Sequence, residues 1–176
     1  SLINSSLSGN ALVHCLKETS TKKCIVGAER TSSLAEVMPE LLQDLNLQAD
    51  RDYFWVPEVG ERADYHRCPN WAENIALTMA NMPTDNLQVT REISATETAM
   101  YVFTSGTTGL PKASVQPHFK YVVVARVISK LGFRVKPTDR LYLCLPLYHS
   151  TGMMPGFVSF IAHGASIFLR RTFSAS

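Results

Sequence analysis

With 176 residues, 17 Lys and Arg against 15 Asp and Glu, and a formal charge of +2, the chain has the length of about one domain and excludes a multidomain enzyme. So balanced a charge names neither nucleic acid nor an anionic surface as the main partner. Its 45% hydrophobic and 18% charged residues are the composition of a soluble globular chain, which excludes disordered and collagen-like classes.

The longest apolar run, Tyr121-Val122-Val123-Val124-Ala125, is closed by Arg126, far short of the roughly 18 residues a spanning helix needs. The chain opens on Ser1-Leu2-Ile3-Asn4 with no initiator Met, basic n-region or small-residue cleavage site, and reads as an internal fragment. Cys15, Cys24, Cys68 and Cys144 lie far apart, with no C-x-x-C pair and no zinc-ligand spacing, so reduced thiols in a cytosolic setting are expected.

In chain order, Leu12, Val13 and Leu16 form an apolar stripe at helical spacing, followed by a short buried strand at Cys24-Ile25-Val26. Ser33 and Glu36 have the spacing of a capping box, and Leu34, Val37, Leu41, Leu42 and Leu45 make a helix face that must absorb Pro39 by starting or kinking there. Tyr53-Phe54-Trp55-Val56, ended by Pro57, predicts a strand of a covered sheet. Residues 58–70 are loop-like, 71–80 have helical character, and 81–96 are polar again. A strand at Ala99–Phe103, a helix at His118–Leu131, a strand at Leu141–Leu145, a helix at Gly156–His163 and a strand at Ile167–Leu169 complete the pass. Strands alternating with helices predict an α/β fold around a largely parallel sheet.

The strongest chemical signal is Thr104-Ser105-Gly106-Thr107-Thr108-Gly109-Leu110-Pro111-Lys112, which packs four hydroxyls, two glycines and a lysine into nine residues. Glycine lets backbone N–H groups turn toward phosphate oxygens, hydroxyls add donors without charge, and Lys112 supplies a point charge beside a polyphosphate. It is not a Walker loop, because only two residues separate Gly106 from Gly109 and Leu110-Pro111 precede the lysine. Pro111 opposes a helix here and Ala113–Pro117 looks extended, so the loop is expected to join two strands. An ordinary Ser/Thr/Gly turn is the bland alternative.

The string from Tyr101 to Ala113 resembles the phosphate-binding motif of the adenylate-forming, AMP-binding enzymes: acyl-CoA synthetases, luciferases and peptide-synthetase adenylation domains. Leu145-Pro146-Leu147-Tyr148-His149-Ser150-Thr151-Gly152 resembles the aromatic-His segment of the same superfamily. Within it, Leu2–Asn4, Ala11–Leu16, Gly132–Asp139, Cys144–Ser150 and Arg170–Ser176 look like the fatty acid transport proteins, which are very-long-chain acyl-CoA synthetases.

The resemblance implies part of the N-terminal domain of such an enzyme over residues 1–176, with the C-terminal domain absent. It implies joining of a fatty acid to ATP as an acyl-adenylate, then transfer to coenzyme A. Thr104, Ser105, Gly106, Thr107, Thr108, Gly109 and Lys112 would hold the β- and γ-phosphates while Mg²⁺ offsets their charge. His149 would lie near the reacting carboxylate and α-phosphate as the catalytic candidate, and Tyr148 would shape the acyl pocket. No metal ligand is assigned among these residues. Membrane association, with the ligase domain facing the cytosol, would come only from segments outside this stretch. A ligase for a medium-chain, aromatic or carnitine-like acid, and a lipid- or nucleotide-binding module without turnover, are the alternatives. His14, His66, His118 and His163 read as satisfied core or loop histidines, and Cys144 as a buried strand residue. Ser150 lacks the G-x-S-x-G setting of a hydrolase nucleophile.

Overall fold

The computed structural model describes residues 1–58, 65–104 and 109–170. Two compact units emerge: one runs from Ser5 to Leu87 with the short stretch ending at Lys112, the other holds Ser1–Asn4, Gln88 through Thr104, and Ala113 onward.

The first unit is built from α1 (Gly9–Glu18), β1 (Cys24–Gly27), α2 (Thr31–Leu45), β2 (Tyr53–Val56), β3 (Glu73–Asn74) and α3 (Ile75–Met79). Its sheet has the order β1-β2-β3, parallel throughout, with Cys24 opposite Tyr53 and Phe54 opposite Glu73. Side chains alternate across it. Cys24, Val26, Tyr53 and Trp55 are buried together with Val13, Leu16, Leu34, Val37 and Leu41 of α1 and α2, while Ile25 is 67% exposed, so within the unit only one face of β1 is covered. The buried indole N–H of Trp55 donates to the Thr31 hydroxyl at 3.0 Å, satisfying a donor that would otherwise be costly to bury.

Helix α2 corrects the expected capping box and the expected start at Pro39. It starts at Thr31, directly after a 3-10 turn at Ala28–Arg30, so Ser33 lies inside the helix and caps nothing. The helix also continues through Pro39. Pro39 is exposed, so solvent can serve the carbonyl one turn earlier that loses its N–H partner. Asn46, at φ 55°, ends the helix in the left-handed region that Asn tolerates, and Leu47 behind it is buried. The helix expected over 71–80 shrinks to α3, because Glu73 and Asn74 pair with β2 and the Asn74 side chain then accepts the Ala76 N–H at 3.2 Å.

Where β2 begins, Asp52 carries a side chain only 3% exposed between two cations. Arg51 Nη2 reaches it at 2.6 Å, Lys23 Nζ at 3.0 Å, and the Gln48 N–H donates to it at 2.9 Å. The Cys24 N–H meanwhile donates to the Asp52 carbonyl at 2.8 Å. One residue thus ties the start of β1 to the start of β2.

The second unit contains β4 (Thr98–Thr104), β5 (Lys112–Pro117) from its second residue on, α4 (His118–Val123), a π-helical continuation (Val124–Phe133), β6 (Arg140–Leu143), a helix with π-type turns over Gly152–Val158 that continues as α5 (Ser159–Ile161), and β7 (Ser166–Leu169). β4 pairs with β5, and β6 pairs in parallel with β7, Arg140 opposite Ser166. Buried Leu143 packs against the helix at Gly156, where an added Cβ would come within 2.9 Å of Leu143 Cδ1. Phe133 and Phe160 meet at 6.5 Å between ring centroids, and Tyr142 stacks on Phe168 at 6.0 Å.

Two boundaries differ from expectation here. β6 ends at Leu143, two residues early, so Cys144 lies just past the strand and is half-buried. The helix expected from Gly156 includes Pro155 and begins earlier. Pro155 lies inside this helix, so the carbonyl one turn earlier goes without an N–H donor from that position. Among the described residues no helix is long and apolar enough to cross a membrane.

Candidate nucleotide and acyl site

Thr104 is the last residue of β4 and Lys112 the first of β5, both exposed. The hydroxyl- and glycine-rich segment therefore joins two strands, as its Pro111 and extended flank predict. Ser105, Gly106, Thr107 and Thr108 lie outside the described residues.

Gly109 is described, and its backbone has φ 112°, a conformation that side-chain-bearing residues rarely adopt. Nothing stands within 4 Å of a Cβ placed there, so glycine is required at this position for conformation, not for room. Two residues on, the Pro111 carbonyl receives a hydrogen bond from His14 Nε2 of α1 at 2.9 Å. On β5 itself, buried Gln116 donates to the Ser114 hydroxyl at 2.9 Å and accepts from Lys120 Nζ at 3.1 Å, which satisfies the strand's inward polar group.

Tyr148 and His149 occupy the turn between β6 and the following helix, Tyr148 half-buried and His149 exposed. The turn is tightly fastened. The His149 N–H donates to the Pro146 carbonyl at 3.1 Å, and its own carbonyl accepts from the Met153 N–H at 3.0 Å. Its ring Nδ1 accepts the Thr151 N–H at 3.2 Å, much as an N-cap side chain serves the first turn of a helix. With Nδ1 accepting, the neutral ring carries its proton on Nε2 and can offer it to an anionic oxygen. Gly152 permits this packing, since a Cβ there would collide with the Pro146 carbonyl oxygen and stand 3.1 Å from that of Leu145.

Thr104 and the Tyr148–His149 turn both follow the carboxyl ends of their strands, where open α/β sheets place ligands. Neither Cys15 nor Cys24 offers a competing nucleophile. Burial pushes Cys15 and Cys24 each up to about 11, with Glu18 and Asp52 respectively adding to the shift, and a protonated buried thiol is inert. His14 is a satisfied histidine, as expected, but its partner, 97 residues away, could not be named from the sequence, and neither could the need for Gly152, which depends on the loop carbonyls. A single sequence carries no local signal for either.

The family model described as AMP-binding enzyme matches residues 1–176. The chain belongs to the AMP-binding enzyme family. It is similar to long-chain fatty acid transport protein 1 of Homo sapiens, 34% identical over 176 residues, covering 99% of this chain and 25% of that protein. It is also similar to the medium/long-chain-fatty-acid–CoA ligase FadD6 of Mycobacterium tuberculosis, 40% identical over 104 residues, which are 59% of this chain and 17% of the ligase. The chain thus spans a quarter or less of these curated relatives.

Among solved structures, the anthranilate CoA ligase AuaEII in complex with anthranoyl-AMP superposes with a TM-score of 0.76 at 18% identity, over 95% of this chain and 29% of that one. The N-terminal domain of FACL13 from Mycobacterium tuberculosis gives 0.75 at 21% identity, over 98% and 38%. These likenesses establish the fold, the α/β arrangement with parallel strands of adenylate-forming N-terminal domains.

Proposed function

We propose that residues 1–176 are part of the N-terminal domain of an ATP-dependent fatty acid–CoA ligase. The observation that carries the proposal is the 34% identity with a long-chain fatty acid transport protein across 99% of the chain, within the AMP-binding family. In this reading a fatty acid carboxylate oxygen attacks the α-phosphorus of MgATP and pyrophosphate leaves. The thiol of coenzyme A then attacks the acyl carbonyl, and AMP leaves. None of these steps needs a nucleophile from the protein, which positions the reactants and stabilises charge.

Thr104, Ser105, Gly106, Thr107, Thr108 and Gly109 hold the β- and γ-phosphates, with Lys112 as the point charge. His149 stands by the reacting carboxylate and α-phosphate, its Nε2–H free to donate, and Tyr148 borders the acyl pocket. Association of the whole protein with a membrane, ligase domain toward the cytosol, belongs to the same reading and rests on the relative's name as a transport protein.

The test is ATP–pyrophosphate exchange by the full-length protein with a panel of carboxylic acids. Long-chain acids should support exchange best; a preference for medium-chain or aromatic acids would move the protein to another ligase, and no exchange with any acid would leave a binding module. Lys112→Ala should lower exchange about 10- to 1000-fold, the scale of losing one oriented charge contact in a closed site. Unchanged exchange would remove Lys112 from the phosphate site.

A further inference from the structure

His14 sits midway along α1, between buried Val13 at 3% exposure and Cys15 at 0%. These neighbours fix the helix against its unit's core, so the imidazole is borne on a firm support. Its Nε2 lies 2.9 Å from the carbonyl oxygen of Pro111. A carbonyl only accepts, so Nε2 must carry a proton, which it does both in the Nε2–H tautomer and in the imidazolium.

That carbonyl is half of the peptide joining Pro111 to Lys112. A peptide is planar, so a hydrogen bond to its oxygen restrains the orientation of the whole unit, including the N–H and α-carbon of Lys112. Pro111 adds its own restraint, because its ring holds φ near about −65° and leaves it no N–H to pair elsewhere. Gly109, two residues back at φ 112°, is by contrast a swivel that imposes no direction by side-chain packing. Beside the pairing of β5 with β4, the direction in which Lys112 leaves the loop is set by Pro111 and by what holds its carbonyl.

We propose that His14 is a positioning residue for Lys112, acting through the Pro111 carbonyl to fix the backbone from which the lysine approaches the phosphates. This rests on the reading of Lys112 as a phosphate contact. The link joins α1, near one end of the chain, to the end of a loop almost a hundred residues later.

The test uses the full-length protein and ATP–pyrophosphate exchange with a long-chain acid, measuring kcat and KM for ATP and for the acid separately. Truncating His14→Ala should lower kcat/KM for ATP about 10-fold, within the range that small misplacements of catalytic groups produce, and leave KM for the acid unchanged. His14→Gln, whose amide nitrogen falls near the position of Nε2, should restore most of the loss. His14→Asn, one bond shorter, should not. Combined with Lys112→Ala, the His14→Ala substitution should add little, because its effect passes through the lysine.

Wild-type kinetics in His14→Ala, or losses that multiply in the double variant, would overturn the inference. Should His14→Ala fail to fold, the comparison of Gln with Asn decides, and equal activity of those two would overturn it. If Lys112→Ala alone keeps full exchange, the phosphate role falls first and the inference falls with it.

Discussion

His149 serves two ends of one ring. Nδ1 accepts the Thr151 N–H at 3.2 Å and so fastens the start of the helix, while the proton on Nε2 is what a negatively charged acyl-phosphate oxygen would use. The cap and the proposed donor are both removed in His149→Ala, but they separate in His149→Asn, whose short amide is among the preferred helix N-caps and cannot extend a donor as far as Nε2. His149→Ala should lose about 0.5–2 kcal/mol of stability, the usual cost of removing a cap, along with adenylation activity. His149→Asn should recover the melting temperature and leave activity depressed. Recovery of both in the Asn variant would make His149 a cap and nothing more.

Elements are where the amino-acid pattern and the physical structure can be compared most directly. β2 was legible to the residue, because Tyr53-Phe54-Trp55-Val56 is aromatic, β-branched and stopped by Pro57. The loop between β4 and β5 was legible because Pro111 forbids a helix there. Start and stop positions were less so: Ser33 lost the helix start to Thr31, whose hydroxyl accepts from Trp55, 24 positions away. No window of sequence contains such a contact. The Asp52 cluster was invisible for the same reason, since its Lys23 lies 29 residues earlier.

That cluster makes a prediction about pH. Asp52 is held well below the usual carboxylate range by Arg51 first, then by the Gln48 N–H, with Lys23 contributing and burial opposing. A carboxyl whose folded pKa is depressed binds its proton more readily when unfolded, so its contribution is fully present above the ordinary Asp value of about 3.9 and is lost as pH falls below it. The melting temperature of the wild type should therefore fall below about pH 4. Asp52→Asn, which cannot ionise, should melt lower than wild type at pH 7 and show a shallower decline on acidification. Parallel acid profiles for the two proteins would show that Asp52 does not link β1 to β2 energetically.

At the scale of the whole molecule, the chain exposes more apolar surface than its balanced composition suggests. Ile25 is 67% exposed on β1, and Leu131 and Phe133, at 74% and 55%, lie exposed on the helix after β5. Val122 and Val127 on the same helical run are also exposed, and apolar side chains exposed in number are a liability for association. Among the described residues the second unit's sheets are small: β4 pairs with β5 and takes a single parallel bridge from Leu2 at Val102, and β6 pairs with β7, and a two-stranded sheet is marginal without further strands or covering layers. The chain also spans a quarter of the transport-protein relative. From these three facts, the 176-residue chain by itself should self-associate through its open faces and strand edges. It should form no acyl-CoA, because donors of the proposed phosphate site are strong only in a closed, low-dielectric setting. Purified chain would be sized by light scattering and then incubated with palmitate, ATP, Mg²⁺ and coenzyme A, alongside a Lys112→Ala control. Thioester formation above that control, from a monodisperse monomer, would mean that these residues enclose the whole reaction site and that their apolar faces need no partner.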